Sequence, residues 1–162
     1  MNPVIKLKGA AMKPIDKILF ATDFSETSEH AFDYAFTLAK KFNARLIVMH
    51  VINEPVDLRG FYVPHISFEK LEQEIASGAE KMMQKFCRTK IKEFENYECC
   101  IVAGIPYEEV LKKADQEKVA LVVLGTHGRS GIDHLLFGST AERVVRKALC
   151  PVMTVRPPES GK

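Results

Sequence analysis

Apolar positions along this chain fall into two regimes: short continuous runs, and longer stretches in which an apolar residue recurs every three or four positions. The runs are KILFAT (17–22), RLIVMHV (45–51), YECCIVA (97–103), ALVVLG (120–125) and PVMTV (151–155). Runs of this length without polar alternation predict strands buried on both faces, as in parallel sheets. Between the first two, Ala31, Ala35, Leu38, Ala39 and Phe42 mark one face of a helix, with Ser25 as N-cap and Glu26 and Glu29 set against the dipole in its first turn. Phe68, Leu71, Ile75, Ala79, Met82 and Phe86 announce a long amphipathic helix, with Met82 and Met83 expected in the core. Gly104 and Pro106 open a third helix whose inner face is Val110, Leu111 and Ala114, and Ala141, Val144, Val145 and Ala148 mark a last one.

Strict alternation of strands and helices predicts the α/β class: a doubly wound, five-stranded parallel sheet with helices on both faces and right-handed crossovers. Ligands of such folds sit outside the carboxyl ends of the strands. The polar and glycine-rich positions fall there: Asp23, the stretch after Val51, Gly104, and Gly125 onward. At 162 residues one domain is expected, over 16–157, with an N-terminal arm (1–15) and a short tail (158–162). The arm carries lysines and a second methionine, Met12, but no apolar core long enough for a secretory signal, so a cytoplasmic location is expected. Pro55, Gly60 and Pro64 mark a loop.

Charge narrows the partners. With 23 Lys+Arg against 21 Asp+Glu the net charge is +2, too weak a field to hold nucleic acid or an anionic membrane, and the apolar runs are far too short to span a bilayer. Cys87, Cys99, Cys100 and Cys150 lack metal-site or C-x-x-C spacing and read as reduced thiols. Strand alternation should send Cys99 and Cys100 to opposite faces, and buried strand cysteines are favoured over a redox switch. His30, His65 and His134 read as surface residues and His50 as part of a buried strand; no Ser/His/Asp or Cys/His set emerges.

The chemistry concentrates in GTHGRSGIDHLLFGST (125–140). A glycine at a strand end admits close approach of a ligand, and successive N–H groups in such a turn form an anion-sized nest. Gly138-Ser139-Thr140 directly precedes the last helix, where unsatisfied N–H groups and the positive end of the dipole also favour phosphate, although capping accounts for Ser139 equally well. Arg129 supplies a candidate counter-charge. A Walker A loop is absent, and no G-x-G-x-x-G follows the first strand, so NAD is disfavoured. Asp23 at the first strand tip reads as a ligand or metal contact rather than as a phosphoacceptor or general base, because no catalytic partner accompanies it.

Several motifs in order, KILFATDFSETSEHA, the HVI at 50–52, the GIP at 104–106, Gly125-x2-Gly128-x9-Gly138-Ser139 and the closing CPVMTV, make residues 17–155 resemble the universal stress protein family. The resemblance implies a Rossmann-like domain of the adenine nucleotide alpha hydrolase-like kind. It also implies a homodimer joined through the last strand, here Pro151 to Val155, and binding of ATP, or AMP or ADP, with Mg2+ or Mn2+. Carried over by position, adenine contacts come from Ala21, Thr22, Asp23 and Val51, with Asp23 beside the nucleotide or its metal ion. Ribose and phosphates fall to Leu124, Gly125, His127, Gly128, Arg129, Gly138, Ser139 and Thr140. Ala21 stands where the family often has proline. The resulting expectation is a stress-response switch or sensor; a slow ATPase and a nucleotide-free dimeric scaffold are the alternatives.

Overall fold

A computed structural model of the chain describes residues 13–53, 68–128 and 137–157. The arm ahead of residue 13, the loop of Pro55 to Pro64, Arg129, His65, His134 and the tail beyond 157 lie outside the described residues. The elements are β1 (Lys17–Thr22), α1 (Glu26–Phe42), β2 (Arg45–Asn53), α2 (Phe68–Lys90), β3 (Tyr97–Gly104), α3 (Pro106–Glu117), β4 (Leu121–Gly125), α4 (Ser139–Lys147) and β5 (Val152–Val155).

All five strands join one sheet in the order β3-β2-β1-β4-β5, and each neighbouring pair is parallel. The chain steps from β1 outward to β3, then α3 carries it back past β1 to β4. Strand order therefore reverses between β1 and β4, which is where a crevice opens at the carboxyl ends of a doubly wound sheet.

Alternate residues of the central strands feed two cores. Ile18 and Phe20 of β1, with Leu46, Val48 and Val123, pack under α1 and α2. Leu19, Ile47, Met49, Val122 and Leu124 pack under α3 and α4. The continuous apolar runs thus arise because both faces of the central strands are covered.

Helix faces differ from expectation in particular turns. In α1, Ala31, Ala35 and Ala39 are fully buried and let the helix approach the sheet closely, but the large buried side chain beside them is Phe32, while Phe42 is 40% exposed. In α2 the buried row is Ala79, Met83, Phe86 and Cys87, and Met82 is 41% exposed, so Met83 is core and Met82 is not. In α4, Ala141 and Val144 are buried, whereas Val145 is exposed.

The cysteines also depart from expectation in their burial. Cys99 and Cys100 do alternate: Cys100 packs toward the α3/α4 core, and Cys99 faces α2. But β3 is an edge strand, so Cys99 is exposed and Cys100 half-buried. Cys99 has its partner on α2, in Cys87.

Ser25 caps α1 as expected: its Oγ accepts from Ser28 N at 3.2 Å, and its backbone is extended. Removing a side-chain cap of this kind costs about 1 kcal/mol. Ser25→Ala should lower the midpoint of thermal unfolding by about 3 °C, and an unchanged midpoint would show that the cap contributes nothing.

Candidate functional site

The crevice between β1 and β4 opens into a cavity of about 630 Å3, within the range of small-ligand sites. Its walls differ in chemistry. Met49 and Val51 of β2, with Ile75, Ala79 and Met82 of α2, give an apolar side. The tips of β1 and β4 and the start of α4 give a polar side with exposed main chain.

The β1 tip owes its shape to a compact hydrogen-bond set. Thr22 Oγ1 accepts from Phe24 N at 2.9 Å and lies 3.0 Å from Ser28 Oγ. Asp23 Oδ1 accepts from Ser25 N at 3.1 Å and from Ser25 Oγ at 2.6 Å. Phe24 between them sits in the left-handed region at φ 61°, uncommon for a bulky residue, and its ring lies 4.5 Å from that of His50. This turn directs the Asp23 carboxylate into the crevice. His50 Nδ1 donates to Thr22 O at 2.8 Å, since a carbonyl only accepts.

At the β4 tip Thr126 is buried and ties three segments together. Thr126 N donates to Val155 O at 2.8 Å, Thr126 O accepts from Gly138 N at 2.7 Å, and Thr126 Oγ1 lies 3.0 Å from His127 Nδ1. The bond to Gly138 brings the start of α4 beside the β4 turn. Gly138 occupies the N-cap without a side-chain cap, and Ser139 lies inside the first turn. The capping role considered for Ser139 is therefore not the one it plays. The first N–H groups of α4 have no intrahelical acceptor.

Two glycines are set by close approach. A Cβ on Gly128 would stand 2.5 Å from Asp23 Oδ2, and one on Gly125 would stand 2.9 Å from Thr27 Cγ2. The first contact means that the carboxylate of β1 and the bare backbone of the β4 turn face one another with no room for a side chain between them.

Ala21, Thr22, Asp23, Val51, Leu124, Gly125, His127, Gly128, Gly138, Ser139 and Thr140 all line the cavity. Arg129 lies outside the described residues. Sequence reasoning missed Thr126, whose role comes from its backbone bonds, and Gly78, which lines the α2 side of the cavity. Neither carried a sequence signal. Among the described residues no three His, Cys, Asp or Glu side chains converge as a metal site, and no helix is long and apolar enough to cross a membrane.

Fold and crevice together define a class: doubly wound α/β proteins with a cavity at the reversal of strand order. Within it the chain belongs to the universal stress protein family, whose model matches residues 14–156. It is 36% identical over 139 residues to universal stress protein A homolog 1 of Coxiella burnetii, covering 85% of this chain and 94% of that one. The solved structure of protein MJ0577 of Methanocaldococcus jannaschii superposes with a TM-score of 0.76 at 30% identity, covering 91% of this chain and all of the other. The fold is shared with a universal stress protein solved in complex with cAMP (TM-score 0.67, 24% identity, covering 90% of this chain and 100% of that one) and with one from Archaeoglobus fulgidus in complex with dAMP (0.61, 19%, 88% and 99%).

Proposed function

We propose that this protein binds ATP or a related adenine nucleotide at the β1/β4 crevice and acts as a stress-response switch or sensor. The observation that carries the reading is the juxtaposition of Gly128 with Asp23 beside an α4 N-terminus that lacks a side-chain cap, all on one cavity. Backbone donors of the β4 turn and of Ser139 and Thr140 suit the oxygens of a phosphate chain. The apolar wall of Val51, Ile75 and Met82 suits a purine face. Relatives solved with cAMP and dAMP support an adenine ligand.

Asp23 is itself an anion, so a polyphosphate beside it needs compensation. Mg2+ or Mn2+ arriving with the nucleotide would be held by the Asp23 carboxylate together with phosphate oxygens, and would supply charge neutralisation between them. Asp23, Ala21 and Thr22 then meet the nucleoside side, and Leu124, Gly125, His127, Gly128, Gly138, Ser139 and Thr140 the ribose and phosphates.

A ligand that binds only the folded state raises its unfolding temperature. ATP, AMP and NAD, each with magnesium, are therefore to be compared with buffer: a rise with an adenosine phosphate and none with NAD is expected, and no rise with any would refute nucleotide binding. Steady ADP release abolished by Asp23→Ala would replace the switch with a slow hydrolase.

A homodimer through β5 belongs to the same reading. β5 is an edge strand, and Leu149 just before it is 94% exposed. Pro151 O accepts from Val122 N of β4 and Val155 O from Thr126 N just beyond it, so by alternation the backbone groups of Val152 and Thr154 face outward. Thr154→Pro removes an outward N–H without touching the inner ladder. Sedimentation should report a dimer for the parent chain and a monomer for this variant; an unchanged dimer would put the interface elsewhere.

A further inference from the structure

We propose that Cys87 and Cys99 form a peroxide-sensitive dithiol that closes to an intrachain disulfide, fastening α2 to the edge strand β3. The proposal does not depend on what the nucleotide cavity binds.

The two sulfurs belong to different elements and lie 2.7 Å apart. A disulfide bond is about 2.05 Å long, so the sulfurs need to approach by well under 1 Å to close it. Cys87 is 7% exposed on the inner face of α2, while Cys99 is exposed on β3. Both line an open hollow of about 400 Å3, together with Met83, Gln84, Arg88 and Tyr97. A small oxidant can therefore reach the pair from solvent.

Proton sharing assigns the roles. The hydrogen bond from Cys99 holds the Cys87 thiol below its ordinary pKa, and the same bond, with burial and the neighbouring charges of Cys87 and Glu98, pushes Cys99 up. In the proposed sequence Cys87 is the sulfur that becomes thiolate, the nucleophilic form, and Cys99, on the exposed edge strand, resolves it. The other cysteines are poorer candidates. Burial pushes Cys100 up to about 11 and raises Cys150, and Cys100 packs toward the opposite core from Cys87.

The oxidant is a hydroperoxide. The Cys87 thiolate attacks one peroxide oxygen, the O–O bond breaks, and with hydrogen peroxide hydroxide leaves, giving a sulfenic acid on Cys87. Cys99 sulfur then attacks Cys87 sulfur; the S–S bond forms, the S–O bond breaks, and the Cys99 proton leaves with the hydroxyl as water. Overall two thiols and one peroxide give one disulfide and two waters, the sulfurs being oxidised by two electrons and the peroxide reduced by two.

The test uses the full chain, reduced, desalted and exposed to a slight excess of hydrogen peroxide, then alkylated and mapped by mass spectrometry without reductant. The expected result is loss of two hydrogens, protection of Cys87 and Cys99 alone from alkylation, a cross-linked peptide joining them, and reversal by dithiothreitol. Cys100→Ser/Cys150→Ser should behave like the parent chain, and Cys99→Ser, on the exposed edge, should give no intrachain cross-link. All four thiols still alkylated, sulfinic acid on Cys99 without a cross-link, or a linkage between chains would each overturn the proposal.

Discussion

Gly128→Val is expected to abolish the ATP-dependent rise in unfolding temperature while leaving the protein folded. Any Cβ at this position would stand 2.5 Å from Asp23 Oδ2, far inside van der Waals contact, and a branched side chain adds two further carbons. Asp23 cannot simply turn away, because its Oδ1 is held by both Ser25 N and Ser25 Oγ. The valine therefore displaces the carboxylate, the β4 turn or both, and fills the space proposed for phosphate. A nucleotide at a hundredfold excess over its Kd stabilises the parent chain by about 2.7 kcal/mol, a rise of roughly 5–10 °C for a domain of this size. In the variant that rise should fall below 1 °C, while the midpoint without nucleotide drops by no more than a few degrees and the chain stays folded, since Gly128 is exposed and outside both cores. An undiminished rise in folded protein would remove the proposed phosphate seat.

Phe32→Ala should destabilise the fold by about 3–5 kcal/mol. Phe32 is 1% exposed, with ring centroids 5.3 Å from Phe20 on β1, 5.4 Å from Phe36 and 4.9 Å from Phe86 on α2. Its ring joins two helices and the central strand, and none of those elements can move inward alone to fill the space. Native domains are stable by only about 5–15 kcal/mol, so the loss should be evident as a large drop in the urea midpoint. Phe42→Ala, which removes the same atoms from a ring that is 40% exposed, should cost about 1 kcal/mol or less. Equal losses at the two positions would mean that the aromatic cluster does not anchor the fold.

The contrast between these phenylalanines indicates where pattern reading gives out. Ala31, Ala35 and Ala39 mark a helix face correctly, and extending that row by three residues reaches Phe42. Yet α1 has 17 residues and β1 only 6, which makes the helix about 25 Å long over a strand of about 20 Å. In the last turn Ala39 is still buried, whereas Phe42, three residues on, is left 40% exposed. Phe32 lies off the alanine row and is buried because α2 arrives beside α1, a neighbour that local periodicity does not encode. The same holds for Met82 and Met83, consecutive on α2, one facing the crevice and the other the core.

The candidate site was legible to a greater depth than the helix faces. The spacing of Gly125, Gly128 and Gly138 and the placement of Asp23 at a strand tip single out segments far apart in the chain, and all four residues line one cavity. What spacing could not supply is the reason for Gly128. That reason is Asp23, more than a hundred residues earlier, brought close because β1 and β4 are neighbours in the sheet.

From its sequence alone this protein determined its strands, its helices and their alternation, because each is written locally, in apolar runs, helical spacing and capping residues. It determined its family likeness too, through motifs kept in order along one domain. Tertiary structure alone decided that β1 lies between β2 and β4, that Thr126 clasps the start of α4, and that Cys99 finds Cys87 rather than its own neighbour. Those outcomes depend on which elements pack side by side, and crossover connections and the burial of two sheet faces settle that only when the whole chain has folded.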